Sequence, residues 1–149
     1  MGTNWLTPSE MAAWRTYIET YADLVAAIEH DLAEHDLTLG DYQVLVYLSE
    51  VDERSMRMCD LADRLQLSPS GLTRRLDGLV RAGLVTRDPS SDDRRVMLAG
   101  LTEAGYDALS SAAPGHVESV RRHIFDHLDD DQVDAMASIF AAISKGLDT

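Results

Sequence analysis

Cysteine is nearly absent from this 149-residue chain: Cys59 is the only one, which excludes an internal disulfide framework. No apolar run approaches the roughly 20 residues needed to cross a bilayer. The opening residues, MGTNWLTPSEM, lack a basic stretch followed by an apolar one, so no secretory leader is read there. These absences point to a soluble, cytoplasmic protein without a membrane partner. Lysine is scarce as well, one against twelve arginines, a bias of the kind that high-GC codon usage produces. Internal repeats and low-complexity segments are missing. No Ser-His-Asp set, phosphate loop or paired-carboxylate arrangement stands out, so neither catalysis nor a cofactor is expected.

What is present is an uneven charge. The formal net charge is −13, which taken whole argues against nonspecific binding to nucleic acid. The distribution reverses that reading. Between Arg54 and Arg95 lie nine arginines and six aspartates, a net of +3, whereas the rest of the chain holds four basic and twenty acidic residues, a net of −16. The stretch LSPSGLTRRLDGLVRAGLV, Leu67 to Val85, carries no glutamate at all. Hydrophobic content of 45% is ordinary, and the length suits one unit with a real core.

Thr7-Pro8-Ser9-Glu10 reads as a helix start, with a Thr cap, Pro in the first turn and Glu three residues on. Trp14, Tyr17/Ile18, Tyr21, Leu24/Val25, Ile28 and Leu32 then form a helical stripe. Thr38 opens a second, largely buried helix, and VDERSMR reads as a loop ending in a short strand. Met58, Leu61, Ala62 and Leu65 have the spacing of a short amphipathic helix. Ser68-Pro69 caps a further helix that stops at Gly83. Two strand-like pieces, LVTRD and VMLAGLT, flank the turn DPSSDDRR. A long helix follows Thr102 with a kink expected at Pro114-Gly115, its stripe continuing through Val117, Val120, Ile124 and Leu128. The last helix starts near Asp129. Helix, turn, helix and two-stranded ribbon make a winged helix, and the fold class is mainly α with a small β component.

On the Ser68–Ala82 helix, Leu72, Leu76, Leu79 and Val80 share one face. Ser70, Arg74, Asp77 and Arg81 lie opposite, with Thr73 and Arg75 on the flanks. Short hydroxyls near the N-terminus followed by arginines suit a recognition helix in a major groove, and the capped N-terminus at Ser68 offers backbone N–H groups to a phosphate. The same helix could be a solvated one whose arginines pair with the acidic body; the preceding helix and following ribbon favour the DNA reading. Arg94 and Arg95 end the ribbon turn, where a wing could reach a minor groove. Asp93 fits there as a partner that orients an arginine, or with Asp92 as a mere turn former.

LADRLQLSPSGLTRRLDGLVRAGLV, then DRRVMLAGLT with its D-x-R, five residues, L-T spacing, then EAGYDAL, resemble the MarR (multiple antibiotic resistance regulator) family of bacterial winged-helix repressors. The resemblance covers nearly the whole chain. It implies a homodimer held by helices in residues 7–36 and 103–149, a winged helix-turn-helix in 38–102, a pseudo-palindromic double-stranded DNA operator, and release by a small-molecule effector. Ser70, Gly71, Thr73 and Arg74 resemble the family's groove-facing residues, and Asp93, Arg94 and Arg95 its wing motif with Arg94 at the tip. Gly78 departs from the pattern, where the family commonly has a larger, often basic residue; glycine there costs about 1 kcal/mol relative to alanine. Trp14, Tyr17, Tyr21 and Tyr42 could line the cleft where this family binds aromatic or phenolic ligands, or could form dimer core; Trp14, Tyr17 and Tyr42 are the ligand candidates.

Other signals favour the plainer reading. Cys59, beside Asp60, reads as structural, because a reactive thiol needs an electropositive, exposed setting. His123 and His127 stand at i, i+4, a spacing that can bind metal from one helical face, but His30 and His35 do not complete a ligand set and no metal site is expected. A metal- or redox-sensing member of the same family, or a helical interaction protein that keeps the scaffold without binding DNA, are the alternatives.

Overall fold

Short-range capping sets most of the helix boundaries. The structure is a computed structural model and describes residues 1–148. Helix α1 spans Pro8–Leu32; Thr7 Oγ1 accepts the Glu10 N–H at 3.2 Å while a Glu10 carboxylate oxygen accepts the Thr7 N–H at 2.7 Å, satisfying two otherwise unpaired donors reciprocally. A 3-10 turn at Ala33–His35 ends at Asp36, in the left-handed region (φ 55°). Helix α2, Leu39–Ser49, begins with a second capping box, Thr38 with Asp41. Strand β1, Ser55–Arg57, leads into α3, Met58–Leu65, and then α4, Pro69–Arg81. Ser68 caps α4 by accepting the Gly71 N–H at 3.1 Å, and Gly83 adopts φ 77° just past its end, a conformation that costs glycine nothing.

Strands β2 (Val85–Pro89) and β3 (Met97–Leu101) form the ribbon. The sheet order is β1-β3-β2, all antiparallel, with Met56 and Arg87 both opposite Ala99. Helix α5 covers Glu103–His123 and α6 covers Asp130–Leu147, the latter capped reciprocally by Asp129 and Gln132. One feature of the sequence pattern differs in the structure. Helix α5 runs on through Pro114, and Ser110, whose carbonyl loses its helical partner to the proline, is an exposed residue. The helix ends at His123. Ile124 leaves the helical region (φ −122°, ψ −72°) and Phe125–His127 form a 3-10 turn. The stripe expected to run on to Leu128 is therefore not carried by one helix.

The chain gathers into two units: Glu29–Gly115, and Met1–Ile28 with the residues from His116 onward. In the first, the winged unit, α2, α3, α4 and the sheet surround a core of Leu45, Leu48, Leu61, Leu72, Leu76, Val85 and Ala99, each at most 2% exposed. Thr102 joins the elements at one corner. Its hydroxyl donates to the Gly83 carbonyl at 2.7 Å and accepts the Gly105 N–H at 2.9 Å, and its own N–H donates to the Leu84 carbonyl at 3.1 Å. Gly105 is buried there because a Cβ would fall on the Leu84 carbonyl and the Leu101 side chain. The physical content of the L-T pair is this pinning of α5 to the end of α4.

The helical unit is different in kind. Among its described residues the buried ones are Ile28 and Ser119, whereas Trp14, Tyr17, Ile18, Tyr21, Ile139, Phe140 and Ile143 are all exposed. The Tyr17 ring lies 6.1 Å from Trp14, 6.0 Å from Tyr21 and 6.1 Å from Phe140. Two open grooves of about 730 and 940 Å³ share Tyr17 and Phe140, the larger also lined by Trp14, Ile18 and Ile143. No helix among the described residues is long and apolar enough to cross a membrane.

His116, at the start of this unit's C-terminal part, titrates below the ordinary imidazole range because burial disfavours its cation. The sign follows from linkage. The unfolded chain takes up the proton first, so the stabilisation is complete above the unfolded value of about 6.5 and is lost as pH falls through the lower folded value. Chemical denaturation of the wild type and His116→Gln between pH 5 and 8 should give stabilities that converge towards the acidic end; parallel pH profiles would show that His116 is not the titrating group.

Candidate nucleic-acid interface

Burial divides α4 into two faces. Leu72, Leu76 and Leu79 are buried, with Val80 partly so, while Ser70, Thr73, Arg74, Gly78 and Arg81 are exposed. The hydroxyls of the first turns are partly committed. Ser68 Oγ holds the cap and lies 3.2 Å from Ser70 Oγ, and the Thr73 hydroxyl donates back to the Pro69 carbonyl at 3.0 Å. Both oxygens still have lone pairs to offer, and Ser70 is exposed. Apart from the backbone of α4 itself and the adjoining residues, no described atom lies within 4 Å of where a Gly78 Cβ would be, so nothing packed against the helix requires glycine there.

Sorting the nine central arginines by their partners is more informative than counting them. Arg54 stacks 3.9 Å over the Tyr106 ring and pairs with Glu103 at 3.4 Å. Arg64 lies 4.2 Å over Tyr47. Arg87 pairs with Asp77 at 2.8 Å, tying β2 to α4. Arg75 donates to Thr38 Oγ1 at 3.0 Å and faces Asp41 at 3.8 Å. Arg95 makes two parallel bonds to the Asp93 carboxylate, at 3.1 and 3.2 Å. The other four, Arg57, Arg74, Arg81 and Arg94, have no hydrogen-bond or ion-pair partner among the described residues, and all four are exposed.

Two of the expected site residues have partners within the protein. Arg75 was expected on the DNA-facing flank, but its guanidinium turns towards α2, because Thr38 and Asp41 supply an acceptor and a carboxylate there. Arg95 is the arginine that Asp93 orients, leaving Arg94 at the turn free. Asp93 Oδ1 also accepts the Arg95 N–H at 3.0 Å, and the turn closes through Ser90 N–H to the Val96 carbonyl at 2.7 Å. The side-chain bonds from Arg95, then its backbone N–H, with Arg57 nearby, hold the Asp93 carboxyl below the usual carboxylate range. Asp93 is thus a structural anchor of the wing turn.

The remaining candidates are dispersed. Trp14 and Tyr17 lie together on α1 in the helical unit, whereas Tyr42 is buried, 8% exposed, on α2 in the winged unit and lines neither groove. Cys59 is exposed and lies 3.8 Å from the Asp60 carboxylate, a partner of the wrong sign for a thiolate. Because α5 stops at His123, His127 falls in the 3-10 turn, and the two histidines do not share a helical face. No group of three or more metal-ligating side chains occurs among the described residues. The roles of Arg54, Arg64 and Arg87 as internal ties were missed from the sequence, since their partners lie on other elements.

Comparison with known proteins agrees with this architecture. Residues 35–96 match the model of the MarR family. The chain is 39% identical to AbsC, a MarR family transcriptional regulator from Streptomyces coelicolor, with a TM-score of 0.91 over 97% of this chain and 98% of that one. It is 33% identical to Sco3205 of the same organism, a MarR family regulator solved in complex with DNA, with a TM-score of 0.93 over 99% of this chain and 93% of that one. The transcriptional repressor YetL of Bacillus subtilis is 27% identical over 120 residues, 80% of this chain and 71% of its own length. With its winged fold, its capped α4 and its 39% identity to AbsC across nearly its full length, this chain belongs to the MarR family of DNA-binding transcriptional regulators and is not an enzyme.

Proposed function

We propose that the protein is a repressor that binds a pseudo-palindromic operator as a homodimer and leaves it when a small effector binds. The observation that carries the DNA contact is the division of the arginines: five have partners within the protein, while Arg57 on β1, Arg74 and Arg81 on α4 and Arg94 on the wing turn face solvent unpaired. Ser70, Gly71, Thr73 and Arg74 enter the major groove, Ser68 presents the helix N-terminus to a phosphate, and Arg94 reaches the neighbouring minor groove. Sco3205, solved with DNA, and the repressor YetL support the reading. Residues 38–102 act as the DNA-binding part, and the helices within 7–36 and 103–149 join two copies. The aromatic row on α1 supplies the apolar surface for that contact, with Trp14 and Tyr17 as the candidates for a small aromatic or phenolic effector.

The helix and the wing can be told apart. Arg74→Ala should lose about 1–3 kcal/mol of operator affinity and relax preference at particular base pairs. Arg94→Ala should weaken related operators by similar factors and flatten the salt dependence by about one unit of slope. Selection from random DNA should return inverted repeats with half-sites about 34 Å apart, one helical turn. Single half-sites would mean that the dimer docks otherwise. An absence of any enrichment would sink the DNA reading in favour of an interaction protein.

A further inference from the structure

The N-terminus of α2 is a polar junction that the recognition helix enters from the side. Thr38 Oγ1 accepts both the Asp41 N–H, at 3.0 Å, and Arg75 Nη1, at 3.0 Å. Asp41 uses one carboxylate oxygen on the Thr38 N–H, at 3.1 Å, and turns the other towards Arg75 Nη1, at 3.8 Å. Gly40 lies beneath the guanidinium: a Cβ built there would fall directly on it. We propose that Arg75 is a positioning residue for DNA recognition, a strut that fixes the rotation of α4 about its own axis, and not itself a DNA contact.

The buried face of α4 is made of leucines, and apolar packing sets how close the helix lies more firmly than how it is rotated. Two polar ties act on its flanks: Asp77 to Arg87 on β2, at 2.8 Å, and Arg75 to the α2 cap. Positions 75 and 77 are about 200° apart around a helix, so the two ties oppose each other across the axis. Releasing one leaves the helix free to turn on the other. Arg74, adjacent to Arg75 and unpaired, is the side chain whose aim such a rotation would spoil. Both contacts are made by one nitrogen, Nη1, and the planar guanidinium fixes that nitrogen's direction more firmly than a freely rotating ammonium would. With its side chain still one-third exposed, the pair adds little stability; its value lies in direction.

This inference rests on the DNA-binding reading, so its test includes a measurement made without DNA. Arg75→Ala, Arg75→Lys and Gly40→Ala are the variants. Gly40→Ala is the decisive one, because it keeps the charge of Arg75 but evicts the flexible end of its side chain, a displacement that leaves the fold intact. All three should bind the preferred operator about tenfold more weakly, the loss expected when a bidentate base contact is misaligned. Their affinity for unrelated DNA and the salt slope should match the wild type. In the free protein, amide exchange along α4 should quicken in all three variants, whatever becomes of the operator. A salt slope lower by about one unit in Arg75→Ala, with Gly40→Ala and Arg75→Lys like the wild type, would make Arg75 a phosphate contact and overturn the proposal. Unchanged amide exchange along α4 would overturn it too.

Discussion

Replacing Phe140 by glutamate is expected to take the proposed dimer apart. Phe140 stands 43% exposed on α6, its ring 6.1 Å from that of Tyr17, at the centre of the apolar row formed with Trp14, Ile18, Ile139 and Ile143. An apolar surface of that extent on a separate chain marks an interaction site. In a two-fold contact, a substitution at the centre places two carboxylates opposite the partner's aromatic rings. Each buried, unpaired charge costs several kcal/mol, enough to offset much of the energy of a dimer of ordinary affinity. Light scattering at micromolar concentration should then report single chains, against a dimer for the wild type. Circular dichroism should be unchanged, because residue 140 belongs to no buried core. Operator affinity should fall steeply, since two half-sites no longer bind as one. A Phe140→Glu protein that remains dimeric would place the contact elsewhere on the chain, and a monomeric wild type would remove the dimer altogether.

The second large effect lies in the winged unit. Leu76 is 0% exposed and sits between Leu72 and Leu79 on the buried face of α4. Leu76→Ala removes three buried carbons and leaves a void that its neighbours, held by the α2 and β2 ties, fill only in part. The expected loss is about 2–5 kcal/mol, a large share of the 5–15 kcal/mol typical of a whole domain. Denaturant titration should show a lower midpoint with a nearly unchanged slope. A loss below about 1 kcal/mol would mean that α4 moves inward to close the void, and its DNA-facing side chains would have to move with it. Operator binding measured on the same variant decides between the two: retained affinity at low temperature means an intact α4 in a weakened fold.

How much of this was legible in the sequence depends on the range of the interaction concerned. The caps at Thr7, Thr38, Ser68 and Asp129 each bond a backbone N–H three residues away, so a short window contains both partners. The two faces of α4 followed from helical period alone, and Leu72, Leu76 and Leu79 are buried as that period requires. Where a local rule failed, the reason was also physical. Helix α5 ended at His123, short of the expected stripe to Leu128, where no proline or glycine signalled a stop.

The sequence by itself determined the order of elements, the helix starts, the outward face of the recognition helix and the concentration of arginine in the middle of the chain. Tertiary structure alone decided what each arginine does. Arg75 meets a threonine 37 positions away and Arg54 a glutamate 49 positions away, and no pattern in a short window encodes such a meeting. Tyr42 and Tyr17 look alike in sequence, yet one is buried in the winged unit and the other stands exposed on α1. Periodicity fixes a side chain's direction from its own helix, because backbone geometry is local. Whether that direction ends in a partner, a core or open water depends on which other elements fold against it.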